Sequence, residues 1–390
     1  MKVNVIQNLV FQGGSVRGLA YLGALQAMNE NGFDFSSIKR VAGTSAGAIN
    51  ALLLSLGYSI EELETHLKAI DFTDILDGRS EFVQGRVLKS VDKINGGKNS
   101  FFATLPVATA SPSLLTELNT GYGVFDGHYF LEWIQERLKE QTGDENITFG
   151  ELHQLHLKNP VKFKELYVYG ANISLGLSEQ FSWETTPTVT VASAVRISMS
   201  IPYVFKSAYA MKKNQYGTVL PDTKGYVYVD GGILNNYPIA AFDNTRYQNL
   251  EGKEGKPIFN TETLGFRLLD ETNIDFFKNN NVYPKTEVGN LLQFSMAVFN
   301  TIQNKENSDH HLSSDNQRTV YIDTVGVNML DFGLTEIQKK ALISSGHEAT
   351  KAFLTGTTPD YQKVKELLKM EMPAEENKPA DIEPTKCIIC

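Results

Sequence analysis

Residues 38–56 read IKRVAGTSAGAINALLLSL and join three local patterns without a break. The short apolar run at 38–42 predicts a β-strand, and the apolar run at 46–56 predicts a helix. Between them lies GTSAG, which has the form Gly-x-Ser-x-Gly, with Ser45 between Gly43 and Gly47. Small residues allow a sharp turn from strand to helix that leaves a serine hydroxyl exposed. The stretch therefore predicts a nucleophilic Ser45, and a plain small-residue turn is the alternative.

A glycine-rich turn lies upstream, where residues 12–18 read QGGSVRG directly after a predicted strand at 3–11. The backbone N–H groups of Gly13 and Gly14 could stabilise an oxyanion, or the turn could cradle a phosphate as in dinucleotide-binding proteins. The dinucleotide fingerprint requires a third glycine where this chain has Ser15, and an acid after the second strand, which is absent. We therefore predict an oxyanion-binding turn.

A third motif, Asp230-Gly231-Gly232, ends a predicted strand at 218–230. An aspartate at the carboxyl end of a strand can reach a serine on a neighbouring strand and take its proton as a general base. An ordinary turn aspartate fits the same pattern. Asp230 is therefore the candidate base for Ser45.

The N-terminal part of the chain alternates predicted strands and helices, which is typical of an α/β sheet with helices on its faces. A length of 390 residues accommodates one large domain or two modest ones. The irregular stretch at 78–113 is expected to form a surface excursion such as a lid.

Composition excludes several function classes. The chain has 36 Lys and Arg against 45 Asp and Glu, a net charge of −9, which disfavours nucleic acid as a partner. Its two cysteines, Cys387 and Cys390, cannot build a disulfide scaffold or a four-thiolate zinc site. Residues 1–14 do not resemble a signal peptide, and the longest apolar helical run is short of the roughly 20 residues that span a bilayer. A cytosolic protein without a signal peptide or transmembrane helix is expected.

Taken together, in this order and spacing, the turn at 13–18, the serine motif at 43–47 and the aspartate motif at 230–232 resemble the patatin-like phospholipase family. The resemblance extends over roughly residues 5–245 and includes the segment 194–205. It is strongest to a bacterial branch that contains secreted phospholipase toxins. The chain departs from the family pattern at two positions of the glycine turn, Gln12 and Ser15.

The resemblance implies a patatin-like hydrolase fold: a central, mostly parallel sheet flanked by helices, with additional C-terminal helices. It implies a Ser45–Asp230 dyad that cleaves fatty-acyl esters of membrane phospholipids, with neither a metal nor a cofactor. Gly18, Gly231 and Gly232 would support the motifs, and Arg17 would contact the lipid phosphate or act structurally. A eukaryotic host protein is implied as a candidate activator.

Three segments are expected from this pattern. Residues 1–255 would form the patatin-like acyl hydrolase domain, and residues 256–370 an α-rich C-terminal extension that packs on it. Residues 371–390 would form a disordered acidic tail, because their composition is too polar to build a core.

Two rival interpretations remain open at this point. An ordinary α/β-hydrolase would complete a triad of Ser45 and Asp230 with His310, His311 or His347. A non-catalytic protein could also use the same fold to bind a membrane or a partner.

A pair of histidines, His153 and His156, lies at helical spacing. They have no evident third ligand and are expected to be exposed, so no metal site is predicted.

The C-terminus reads Cys387-Ile388-Ile389-Cys390, a Cys-aliphatic-aliphatic-X form typical of prenylation. The terminal Cys390 is not among the usual last residues of this motif. We expect Cys387 to be the lipidated residue if the protein is exported into a eukaryotic host cell, where it would associate with membranes.

Overall fold

The computed structural model describes residues 6–75, 77, 120–248, 255–269, 297–298, 301, 314–329 and 331–369. The strands, in chain order, are β1 (Asn8–Phe11), β2 (Arg40–Thr44), β3 (Gly123–Phe125), β4 (Glu165–Asn172), β5 (Leu177–Phe181), β6 (Tyr203–Phe205), β7 (Met211–Lys213), β8 (Val219–Pro221), β9 (Tyr228–Asp230), β10 (Thr263–Leu269) and β11 (Thr319–Asp323). The α-helices are α1 (Ala20–Glu30), α2 (Ala46–Ser55), α3 (Ile60–Lys68), α4 (His128–Thr142), α5 (Phe149–Lys158), α6 (Val191–Ser198), α7 (Glu336–Thr355) and α8 (Gln362–Lys369).

Seven strands form the central sheet, in the order β11-β10-β1-β2-β4-β5, with β9 also paired to β4. The five strands from β11 to β4 run parallel, and β5 and β9 run antiparallel to β4. The predicted α/β fold with a mostly parallel central sheet flanked by helices is therefore confirmed.

Both faces of this sheet are buried, because its side chains alternate between two apolar layers. Leu9, Phe11 and Val41 face the layer that contains α1 and α2. Val10 and Ala42 face the other layer, which the segment at 237–247 covers with aromatic side chains.

Helices α1 and α7 cross closely because two glycines meet the opposing backbone. A Cβ on Gly23 would lie 1.7 Å from the Ile343 carbonyl oxygen, and one on Gly346 would lie 1.8 Å from the Ala20 carbonyl oxygen. This packing connects the C-terminal part of the chain to the first helix after β1.

The stretch predicted to be an α-rich extension, 256–370, supplies β10 and β11 to the central sheet, with β10 directly beside β1. A domain boundary at residue 255 would divide that sheet. The predicted excursion at 78–113, the tail at 371–390 and Cys387 within it lie outside the described residues. No helix in the described ranges is both long enough and apolar enough to cross a membrane.

Candidate active site

The strands that carry Ser45 and Asp230 meet end to end on one edge of β4. Thr44, the last residue of β2, pairs with Tyr169, and Asp230, the last residue of β9, pairs with Gly170. A strand has two edges, and β5 occupies the other edge of β4 over this range. The parallel β2 and the antiparallel β9 therefore share one edge and run toward each other. Ser45, directly after Thr44, and Asp230 come together where they meet.

Ser45 lies on the predicted sharp turn. Its backbone has φ 52° and ψ −126°, a positive φ that is rare for a residue with a side chain. The turn is tight because both flanking glycines touch backbone: a Cβ on Gly43 would lie 2.3 Å from Gly47, and one on Gly47 would lie 2.3 Å from the Phe11 carbonyl oxygen. Local strain of this kind clusters at functional sites.

Asp230 is buried, with 2% of its surface exposed. Its Oδ1 accepts a hydrogen bond from the Gly232 N–H at 2.7 Å. Its Oδ2 is buried and makes no hydrogen bond of ordinary length and angle to the described residues. Burial raises the pKa of Asp230 to about 7, against the lowering effects of the Gly232 N–H and the Ser45 hydroxyl. The carboxylate is therefore a much stronger base than an exposed aspartate.

Helix α6 supplies a hydroxyl that holds the serine turn. Ser198 Oγ accepts from the Ser45 N–H at 2.8 Å and donates to the Tyr169 carbonyl oxygen at 2.6 Å. The next residue, Met199, places its sulfur 3.6 Å from Ser45 Oγ, a weak acceptor for the hydroxyl proton. The Asp230 N–H donates to the Ser200 carbonyl oxygen at 2.8 Å. One short segment thus contacts both candidate catalytic residues.

The glycine turn lies beside Ser45, but its donors differ from those expected. A Cβ on Gly13 would lie 3.2 Å from Ser45 Cβ. The Gly13 N–H donates to the Asn236 carbonyl oxygen at 3.0 Å, so it is occupied and cannot receive an oxyanion in this structure. The N–H groups of Gly14 and Ser15 donate no hydrogen bond to the described residues. At this turn, the N–H groups without a hydrogen bond to the described residues are therefore those of Gly14 and Ser15, whereas the expected pair was Gly13 and Gly14.

The other predicted motif residues make close contacts within or against the turns. Arg17 is 7% exposed, and its Nε donates to the Gly14 carbonyl oxygen at 3.3 Å, which ties its side chain to the glycine turn. Gly18 lets the turn pack on α2, since its Cβ would lie 2.7 Å from Ala46 Cβ. A Cβ on Gly231 would lie 2.3 Å from the Tyr169 carbonyl oxygen.

The loop after Asp230 connects all three motifs, which the sequence did not reveal. Asn236 bonds Gly13 through its backbone oxygen and, at 3.4 Å, through its side-chain amide. Thr44 Oγ1 donates to the Asn235 carbonyl oxygen at 2.8 Å. The paired asparagines, which follow the aspartate motif after two residues, are a weak sequence signal for this role.

In this structure, His347 contacts a carboxylate other than Asp230. Its Nε2 lies 2.7 Å from a carboxylate oxygen of Glu30, at the end of α1. His310 and His311 lie outside the described residues.

The paired histidines were expected to be exposed, but they pack around Glu165. This residue begins β4, so the pair lies at the opposite end of that strand from Asp230. His153 Nδ1 lies 3.1 Å from a Glu165 oxygen, and its ring stacks on Trp183. In the described ranges, no group of three or more His, Cys, Asp or Glu side chains could hold a metal ion.

A family model described as patatin-like phospholipase matches residues 9–243, more than half of the chain. The chain belongs to the patatin-like phospholipase family. Membership supports a lipid hydrolase function, and the family match includes the glycine turn, the serine motif and the aspartate motif.

Relatives of this family member occur in bacteria and viruses. The chain is 28% identical over 346 residues to the uncharacterized protein YqhO of Bacillus subtilis, covering 88% of this chain and 97% of YqhO. It is 24% identical over 282 residues to the probable lipid hydrolase 463L of Invertebrate iridescent virus 6, covering 72% of this chain and 78% of that protein. The crystal structure of VipD from Legionella pneumophila is similar in fold, with a TM-score of 0.51 and 19% identity over 90% of this chain and 67% of VipD.

In this patatin-like protein, Ser198→Ala is expected to lower acyl hydrolysis by about 10- to 100-fold, because the Ser45 N–H and the Tyr169 carbonyl lose their shared partner. Steady-state hydrolysis of a soluble ester measures this effect. Ser55→Ala is the matched control, since Ser55 is also fully buried and, among the described residues, its hydroxyl bonds only the Leu52 carbonyl oxygen of its own helix. Equal losses in the two variants would contradict a positioning role for Ser198.

Proposed function

We propose that this protein hydrolyses the fatty-acyl esters of membrane phospholipids, with Ser45 as nucleophile and Asp230 as general base. The observation that carries the proposal is the meeting of β2 and β9 on β4, which brings a strained serine next to a buried aspartate of raised pKa. The family match supports the substrate class.

In the first half-reaction, Ser45 Oγ attacks the ester carbonyl carbon while Asp230 takes the hydroxyl proton, directly or through a water molecule. Negative charge develops on the carbonyl oxygen, and the N–H groups of Gly14 and Ser15 stabilise it. The carbon–oxygen bond to the lipid alcohol then breaks, and Asp230 returns its proton to that alcohol. The product is an acyl ester on Ser45.

In the second half-reaction, water attacks the acyl carbonyl and Asp230 takes a proton from the water. The same N–H groups stabilise the second oxyanion. Collapse releases the fatty acid and returns the proton to Ser45 Oγ. A pKa near 7 suits both transfers, because the group can accept and release a proton at neutral pH.

A fluorophosphonate probe tests the proposal directly, since attack by an activated serine forms an oxygen–phosphorus bond and expels fluoride. We expect mass spectrometry to find the adduct on Ser45 in the parent protein and to find no adduct at that position in Asp230→Asn. His347→Gln is the control and should label like the parent. Labelling that survives Asp230→Asn but is lost when His310, His311 and His347 are all replaced by glutamine would support the triad instead.

Two finer parts of the proposal concern the cellular setting. We propose that a eukaryotic host protein activates the enzyme and that Cys387 is prenylated after export into a host cell, as the C-terminal motif indicates. Adding eukaryotic cytosol to the purified protein should raise hydrolysis of phospholipid vesicles. Protein recovered from eukaryotic cells with an unmodified Cys387 would contradict the prenylation.

A further inference from the structure

A patch of exposed apolar side chains lies beyond the carboxyl end of β4, on the same side of the sheet as Ser45 and Asp230. We call it the rim patch, and each of its members is 42–53% exposed. Its members are Ile173, Leu175, Leu177, Tyr209 and Leu220. Single exposed apolar residues are common on protein surfaces, but a contiguous set marks an interaction site.

The chain segments that carry the rim patch lie side by side, because backbone hydrogen bonds join them in series. The bonds run from Ile173 N to the Val227 oxygen at 3.1 Å, from Ala208 N to the Tyr228 oxygen at 3.2 Å, and from Asp222 N to the Ala210 oxygen at 2.7 Å. The backbone of the patch is therefore connected to β9 by hydrogen bonds, although Tyr209 and Leu220 lie outside the central sheet.

The distance from the patch to the site follows from the strand register. Asp230 pairs with Gly170, and Ile173 follows Gly170 by three residues, directly beyond the end of β4. At about 3.3 Å per residue, the patch begins about 10 Å beyond Asp230. Apolar side chains of interfacial proteins reach about 5–10 Å into the boundary between headgroups and acyl chains. A docked patch would therefore hold the reactive groups at the level of the lipid headgroups, next to the ester bonds.

The charges around the patch also suit a lipid surface. The turn at 173–177, with sequence ISLGL, has no charged residue, although the whole chain has a net charge of −9. The segment 203–227 contains four lysines, of which Lys206, Lys212 and Lys213 are paired with carboxylates. Lys224 is exposed over the ring of Tyr226 and forms no ion pair with the described residues. Tyrosine and lysine side chains at the border of an apolar surface are typical of the headgroup layer.

We propose that the rim patch docks this protein on the surface of a phospholipid bilayer. The proposal rests on the proposed function, because the lipid esters are its substrate, and it adds the surface by which the enzyme reaches them. A second copy of this chain and a protein activator are the competing occupants.

Vesicle sedimentation tests docking without any need for catalysis. Two proteins are mixed separately with vesicles of phosphatidylcholine and phosphatidylglycerol. The first carries Ser45→Ala alone, and the second also carries the triple change Ile173→Ser, Leu175→Ser and Leu177→Ser. We expect the triple change to weaken vesicle binding about tenfold or more. The control is a protein with both Leu157→Ser and Val161→Ser, whose side chains are 60% and 65% exposed. These residues precede β4 and so lie at the opposite end of that strand from the patch. Control binding should stay within about twofold of the parent.

A second variant keeps the test informative even if the triple change disturbs folding. Tryptophan fluorescence of Leu175→Trp should shift to shorter wavelength when vesicles are added, and that of Val161→Trp should not. Absence of vesicle binding in the parent, equal losses in patch and control variants, or an unshifted Leu175→Trp spectrum would overturn the proposal. A dimer that dissociates only in the patch variant would assign the surface to a second copy and would also overturn it.

Catalysis separates this proposal from the proposed function. With Ser45 intact, the triple variant should hydrolyse a soluble short-chain ester at the parental rate while losing activity on vesicles. Loss of both activities would overturn a docking role. A parent that binds vesicles through the patch but hydrolyses no ester, with or without eukaryotic cytosol, would contradict the proposed function and leave the docking surface supported.

Discussion

Asp230→Asn is expected to lower acyl hydrolysis about a thousandfold or more while making the protein more stable above pH 7. Asparagine keeps the oxygen that accepts from the Gly232 N–H, and it replaces an oxygen that has no ordinary hydrogen bond to the described residues. It cannot take a proton from Ser45. Hydrolysis of a soluble ester and urea denaturation of both proteins measure the two effects.

The pH dependence of stability follows from the raised pKa of Asp230. An aspartate in the unfolded chain loses its proton near pH 4. Burial raises the pKa of folded Asp230 to about 7, so that it keeps its proton up to about that pH. The contribution of the protonated group is therefore complete below about pH 4 and is lost as pH rises through about 7. A shift of about three pKa units corresponds to about 4 kcal/mol, an upper figure for the expected gain in the free energy of unfolding of the asparagine variant above pH 7. The gain should be small near pH 4.

Asp331→Asn is the matched control, because burial also raises the pKa of this carboxyl. It should change stability in the same direction and leave hydrolysis intact. Hydrolysis at the parental rate by Asp230→Asn would contradict the proposal that Asp230 is the base. So would an identical pH dependence of stability in the parent and in Asp230→Asn.

Ser45→Ala and Ser45→Gly are both expected to lose about a thousandfold or more of the hydrolysis, since neither has a nucleophile. They should differ in stability. The positive φ at position 45 is strained for a residue with a Cβ and unstrained for glycine. We expect the glycine variant to be more stable than the alanine variant by about 1 kcal/mol, measured by urea denaturation.

Position 55 supplies the control for this comparison. Ser55 ends the regular helix α2, where glycine is less favourable than alanine by up to about 1 kcal/mol. The order of the alanine and glycine variants should therefore be reversed there. The same order at both positions would mean that the serine turn stores no strain.

The sequence predicted the parts of the site that depend on local backbone. The GTSAG turn, the strand before it and the helix after it follow from small residues between two apolar runs, and the structure has the same turn at Ser45. The pairing of β9 against β4 and of β10 beside β1 could not be predicted, because these partners are far apart in the chain and several strands have compatible apolar patterns.

The proposed oxyanion donors and the supporting contacts could not be predicted from the sequence. Two adjacent glycines looked equivalent in sequence, yet the Asn236 carbonyl occupies one of their N–H groups. Ser198 has no distinguishing sequence signal, and only the packing of α6 against Tyr169 and the serine turn brings its hydroxyl to two backbone partners at the site. Hydrogen bonds between distant segments leave no pattern in a single sequence.

The end-to-end meeting of β2 and β9 has a consequence for synthesis of the protein. Ser45 and the glycine turn are made before the proposed base, Asp230, which follows Ser45 by 185 residues (230 − 45) and is held through the register of β4. Because chains emerge from the N-terminus, a nascent chain cannot contain the complete proposed dyad until those residues have been made. A truncated translation product that ends before Asp230 would carry the proposed nucleophile without its proposed base.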